Sequence, residues 1–211
     1  TVNELLMHYL QWAEGYYRRP NGSPSGETER IKVAVRPLRR LYGHTIAKNF
    51  GPLALKTVRE SYLASGLCRN EINKRTRRLV RIFKWGTENE HVPAAVFQSL
   101  RCVPGLKRGR CDAPESEAVT PVSDEHVDAI LSHVLPPIRA MIELQRLTGM
   151  RPGEVVAMRM GDIDQSGKVW VYEPKEHKTA HHGHRRLIPL GPKAQDILKR
   201  WLKADPAAFL F

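Results

Sequence analysis

Residues Leu147 to Asp164 read LTGMRPGEVVAMRMGDID, and the rest of the chain is arranged about them. Thr148-Gly149 reads as a helix stop, since glycine takes the left-handed conformation after a C-terminus without steric cost. Pro152 suits the first position of a new helix, where its missing N–H would be unpaired anyway. Arg151 precedes that proline, is pushed to extended geometry, and so stands just outside the helix. A cation there opposes the helix dipole. An anion held jointly by the arginine and free N–H groups would justify it. So would an Arg–Glu pair that merely pins two helices, with Glu154 three residues on.

An apolar helical run leads into this stretch. Ser123 is a good N-cap, with Asp124 and Glu125 in the first turn behind it. Val127, Ile130, Leu131 and Val134 continue that helix, and Pro136-Pro137 breaks it. Ile138, Met141, Ile142 and Gln145 then begin a buried helix that reaches Thr148. After the stretch, Gln165-Ser166-Gly167 reads as a turn, and Val169–Tyr172 and Arg186–Leu190 read as strands. A last helix carries Ala194, Ile197, Leu198, Trp201 and Leu202 and ends near Asp205-Pro206.

Charge divides the chain. Residues 1–111 hold 21 Lys+Arg against 8 Asp+Glu, whereas residues 112–211 hold 13 against 14, for an overall +12. A basic half beside a neutral half points to a polyanionic partner for the first. The three cysteines, Cys68, Cys102 and Cys111, lack metal-ligand spacing and read as reduced thiols of an intracellular protein. No apolar run is long enough to span a membrane. The acidic, amphipathic N-terminus is not a signal peptide, and a start at Thr1 reads as a processed or missing N-terminus.

The basic half is helical in pattern. Thr1 to Glu4 fits a capping box, and Val2, Leu5, Leu6, Tyr9, Ala13, Tyr16 and Tyr17 follow at helical spacing, the aromatics reading as core. A loop at 21–26 precedes a helix bearing Ile31, Val35, Leu38 and Tyr42, with Pro37 expected to kink or restart it. Pro52 opens a third helix with Leu55, Val58 and Tyr62 on one face and Gly66 at its end. From about Asn70 to Glu90, Ile72, Thr76, Leu79, Val80 and Phe83 share one face, and Lys74, Arg77, Arg78, Arg81 and Lys84 share the opposite one. A solvated face usually mixes signs, so a one-signed stripe suits a phosphate backbone. A short helix to about Leu100 and an aperiodic stretch follow. The reading is a helical domain at 1–103, a linker at 104–121 that carries Lys107, Arg108 and Arg110, and a second domain at 122–211.

The string TGMRPGEVVAMRMGDID resembles the first-arginine motif of the tyrosine-type site-specific recombinases, the phage integrase family. The segment SGLCRNEINKRTRRLVRIFKWG, within its four-helix pattern, resembles that family's core-binding domain, which closes one side of a clamp around DNA, and that clamp would bring Lys107, Arg108 and Arg110 of the linker near the duplex. The resemblance implies a mainly α fold with a small β-hairpin or sheet (α+β): a helical core-binding bundle, then the N-terminal part of a catalytic domain. Lys178-Thr179, in EPKEHKTAHHGHR, matches the catalytic lysine of the family's β-hairpin, with Lys175 close by as an alternative.

By that resemblance Arg151 holds a non-bridging phosphate oxygen, Lys178 protonates the leaving 5′-oxygen, and Glu154 supports Arg151. A tyrosine supplies the nucleophile and forms a 3′-phosphotyrosyl link. No cofactor, metal, membrane or small-molecule substrate is implied. The partners are duplex DNA and other recombinase protomers in a tetrameric synapse, in the cytoplasm. His182-Gly183-His184-Arg185 fits the H-x-x-R of the family's second box but lies too close behind Lys178 to be it. His177, His181, His182 and His184 lack a carboxylate or Cys to complete a tetrahedral site. No tyrosine follows Tyr172, so the chain reads as a recombinase truncated before its second box and inactive alone. Two other readings stay open: a non-catalytic DNA-binding regulator or decoy, and a helical RNA-binding protein.

Overall fold

The computed structural model describes residues 1–19, 21–175 and 185–211. They form two compact units, Thr1–Val119 and Thr120–Phe211.

The first unit is a helical bundle: α1 (Val2–Tyr16), α2 (Glu27–Tyr42), α3 (Pro52–Ala64), α4 (Arg69–Glu88) and α5 (Ala94–Arg101). Thr1 caps α1 by accepting from the Glu4 N–H, while Glu4 reaches back to the terminal amine. Helix α2 runs unbroken through Pro37 rather than restarting there. Each helix turns its apolar stripe inward, and Tyr9, Ile31, Leu38, Leu55, Tyr62, Ile72, Leu79, Ile82 and Phe83 form the centre of one core. The buried Tyr62 hydroxyl donates to the Ala34 carbonyl, so its polar end is satisfied inside the core. Tyr16 departs from the core expectation: it is exposed and stacks on Trp12 with ring centroids 4.4 Å apart.

Residues 104–115 are not a free linker. Leu106 and Cys111 pack on the bundle and Ala113 is buried. Asn73 clasps Leu106 from both sides, accepting its N–H at 2.8 Å and donating to its carbonyl at 2.9 Å. Arg59 donates to the Pro104 carbonyl, the Arg69 N–H donates to that of Pro114, and the Arg69 guanidinium pairs with Glu115. The aperiodic sequence hid this, because most of these contacts end on backbone groups, which side-chain patterning does not reveal.

The second unit contains α6 (Asp124–Leu131), α7 (Pro136–Thr148), α8 (Pro152–Val156), β1 (Ile163–Asp164), β2 (Trp170–Tyr172), β3 (Ile188–Leu190) and α9 (Pro192–Leu198). The strands make an antiparallel sheet in the order β1-β2-β3, with Ile163 opposite Tyr172 and Tyr172 opposite Ile188. That register stacks three inward side chains over Leu144, Met158 and Leu198. Helix α7 is less buried than its sequence suggested: only Ala140 and Leu144 are fully covered, and Ile138 is exposed. Helix α9 stops at Leu198, before Trp201 and Leu202. Arg146 ties α7 to α6 by pairing with both Asp124 and Asp128. The fold is α+β, with the sheet small beside the helices.

Candidate active site and nucleic-acid interface

The turn between α7 and α8 is built as its sequence dictates. Gly149 closes α7 at φ 64°, where an L side chain would be strained. Arg151 is extended, at φ −75° and ψ 151°, and Pro152 begins α8. The Glu154 carboxylate accepts the Arg151 N–H at 2.7 Å and its Nη1 at 2.8 Å. Glu154 is 4% exposed and Arg151 47%, so the turn buries the carboxylate and leaves the guanidinium reachable. Among the described residues, the remaining Arg151 donors meet no partner.

A second cation completes the arrangement. Arg186, at the entry to β3, sets its Nε 2.6 Å from Glu154 Oε1 as a close ion pair, and its Nη2 donates to Oε2 at 3.0 Å. Burial pushes the Glu154 carboxyl up. The Arg186 guanidinium, then the Arg151 N–H and guanidinium, more than offset this and hold it below its ordinary value. Glu154 is therefore a carboxylate between two guanidiniums. Its own carbonyl accepts the Tyr172 hydroxyl at 2.8 Å, which fixes β2 to the same turn. From sequence Arg186 reads only as a strand start. A second arginine after the hairpin was the available signal, and nothing in its spacing joins it to Glu154.

Lys178 and the four histidines of its segment lie outside the described residues. The alternative lysine is placed: Lys175 Nζ sits 3.1 Å from Asp162 Oδ1, a carboxylate that is itself buried. Tyr172 is fully buried, and burial, followed by the Asp162 and Glu154 charges, pushes its hydroxyl far above the usual phenol value. Among the described residues no group of three His, Cys, Asp or Glu is placed to hold a metal.

In the first unit, the basic face of α4 is less uniform than its sequence. Glu27, at the start of α2, accepts from Arg78 Nε and Nη2, both at 3.1 Å, and from Arg81 Nη2 at 2.7 Å. Arg78 is left 16% exposed. Arg81 also lies 5.4 Å from the Tyr17 ring centroid, a cation–π distance. Lys84 pairs with Glu88 one turn on. Lys74 and Arg77 are exposed and line, with Glu27, Arg78 and Arg81, a shallow depression of about 310 Å³. The sequence placed the five cations on one face correctly, but an acid from another helix enters that face. Lys107 and Arg108 are exposed.

Residues 122–211 match the phage integrase family. Tyrosine recombinase XerD of Vibrio vulnificus is 32% identical over 117 residues, covering 48% of this chain and 36% of that protein. XerD of Ralstonia nicotianae is 30% identical over 139 residues, covering 65% and 42% respectively. The chain thus spans less than half the length of these curated relatives. Two solved structures share the fold at low identity. A lambda integrase dimer bound to a COC′ core site superposes with a TM-score of 0.67 at 14% identity, over 93% of this chain and 65% of that one. The Tn1549 transposon integrase in complex with circular intermediate DNA gives 0.65 at 18% identity, over 100% and 70%. No helix among the described residues is long and apolar enough to cross a membrane. The match over residues 122–211 identifies the second unit as a phage integrase family domain, and the relatives that share its sequence are tyrosine recombinases.

Proposed function

We propose that the chain is the DNA-holding part of a site-specific recombinase or integrase that breaks and rejoins DNA through a 3′-phosphotyrosine. The observation that carries this reading is Arg151. Its guanidinium is oriented by a buried carboxylate on one edge and open on the other. A guanidinium so prepared binds a non-bridging phosphate oxygen and stabilises the charge that builds on pentacoordinate phosphorus. Glu154 supports it and does not touch the substrate.

The reaction then runs without metal or nucleotide. A tyrosine oxygen attacks phosphorus, the bond from phosphorus to the 5′-oxygen breaks, and a 3′-phosphotyrosyl link forms. Lys178 delivers the proton that leaves the 5′-hydroxyl free. Its neighbour Lys175 is occupied by Asp162, which favours Lys178 for that role. Tyr172 is not the nucleophile, because its hydroxyl is buried and committed to the Glu154 carbonyl.

Duplex DNA is the partner proposed for the basic first unit, with Lys74 and Arg77 as its most available phosphate contacts, joined by Arg81, Lys84, Lys107 and Arg108. Arg78 contributes through Glu27 and the packing of α4 against α2. Other recombinase protomers would complete a synapse, and the protein works on DNA in the cytoplasm. The 211 residues on their own bind DNA without bonding to it. Incubation with a nicked duplex, read on native and then denaturing gels, tests this: a retarded complex and no detergent-stable adduct are expected. A protease-sensitive DNA–protein band would overturn the exclusion of Tyr172. Absence of any complex would overturn the DNA reading.

A further inference from the structure

Arg186 takes no part in the proposed reaction, yet it sits on the carboxylate that holds Arg151. Among the described residues it is the second cation on the Glu154 carboxylate, and it arrives from β3 rather than from the arginine turn. A carboxylate that only had to orient Arg151 would need one guanidinium. Here both oxygens are taken by Arg186, with Nε facing Oε1 and Nη2 bonding Oε2, while Arg151 shares the same two oxygens. The Arg186 side chain is 30% exposed, and so is more enclosed than Arg151. Its Nη2 hydrogen-bonds one carboxylate oxygen while its Nε lies at ion-pair distance from the other, two contacts that restrict how the carboxylate can turn.

We propose that Arg186 is a positioning residue for Arg151, acting through Glu154. It holds the carboxylate at both oxygens, by a hydrogen bond and an ion-pair contact, and that hold sets where the free edge of the Arg151 guanidinium points. It also joins β3 to the turn that carries Arg151, so the two guanidiniums are referenced to one carboxylate. The proposal rests on the reading of Arg151 as the phosphate-binding group. Its chemistry is electrostatic, and no bond is made or broken at Arg186.

The test uses the full 211-residue chain labelled at Glu carboxyl carbon and Arg side-chain nitrogen. Two signals are followed by NMR: the titration of the Glu154 carboxyl and the solvent exchange of the Arg151 Nε–H. Arg186→Ala should move the Glu154 midpoint upward by about one pH unit, since an adjacent cation is lost, and speed Arg151 exchange about tenfold as its carboxylate loosens. Arg186→Lys should restore the midpoint but not the slow exchange, because an ammonium supplies charge without a fork. If the alanine variant does not fold, Arg186→Gln, which keeps a donor and most of the volume, carries the same two readouts. A natively folded Arg186→Ala or Arg186→Gln with both signals unchanged would overturn the proposal and leave Arg186 a cover for the carboxylate. Adding duplex DNA to the parental chain separates the two levels. An Arg151 signal that ignores the duplex would sink the phosphate reading, while the Glu154 titration still judges Arg186.

Discussion

Glu154→Gln removes one charge at nearly constant shape, and the structure sets the size of the effect. The carboxylate accepts the Arg151 N–H, Arg151 Nη1 and Arg186 Nη2 and faces Arg186 Nε. A glutamine has one acceptor oxygen, and its amide N–H would point at a guanidinium donor. Hydrogen bonds to charged groups contribute roughly 1.5–3 kcal/mol each when desolvated. Both guanidiniums are partly in water, which screens them. The net loss is then about 2–3 kcal/mol for the second unit, enough to lower its midpoint by about 10 °C or more. Sign and pH follow from the carboxyl, which is held below its ordinary 4.5 in the folded state. Its stabilisation is complete above 4.5 and is lost as pH falls through the lower folded value. Native-state hydrogen exchange at the Tyr172 and Leu190 amides, in parent and variant, reads the second unit alone. The gap between them should be present at pH 7 and shrink in acid. Equal protection at pH 7, or a gap independent of pH, would refute the ion-pair argument.

Further outcomes follow from other contacts. Tyr172→Phe should cost about 1–2 kcal/mol, because the buried Glu154 carbonyl loses its donor, and should leave DNA affinity unchanged in a filter-binding assay; lost affinity would place the hydroxyl at the interface. Lys74→Ala with Arg77→Ala should weaken duplex binding across sequences and flatten the salt slope by about one unit per lost phosphate contact; an unaltered slope removes α4 from the interface. Arg78→Ala should lower the urea midpoint of the first unit, since Glu27 keeps only part of its partners; unaltered stability would mark that pair as idle. Gly149→Ala should cost about 1–2 kcal/mol at a left-handed position, and a neutral result would show that the turn relaxes elsewhere.

The arginine turn was legible because its geometry is local. Gly149, Arg151 and Pro152 each restrict their own backbone, and those restrictions agree. The helices of the first unit were legible by period, as Ile72, Thr76, Leu79 and Phe83 show. What escaped was long-range. Glu27 lies some fifty residues from Arg78, and Arg186 about thirty from Glu154, so no spacing rule could pair them. Residues 104–115 escaped for a different reason: apart from the Arg69–Glu115 pair, Arg59, Arg69 and Asn73 hold them through backbone groups, which carry no residue-type signature. Tyr16 has the right period for the core but sits at the end of α1, where the stripe runs out onto Trp12.

The central claim is that Arg151 holds the scissile phosphate, and strand cleavage measures it most directly. The assay takes a recombinase carrying these 211 residues and a nucleophilic tyrosine beyond them, on a nicked duplex that traps the covalent intermediate. Arg151→Ala should keep DNA binding and lose cleavage by about 100- to 1000-fold, the cost of removing a donor to a developing oxyanion. Arg151→Lys should also fail, for want of a fork. Cleavage by Arg151→Ala at the parental rate would contradict the account and leave Arg151 a structural partner of Glu154.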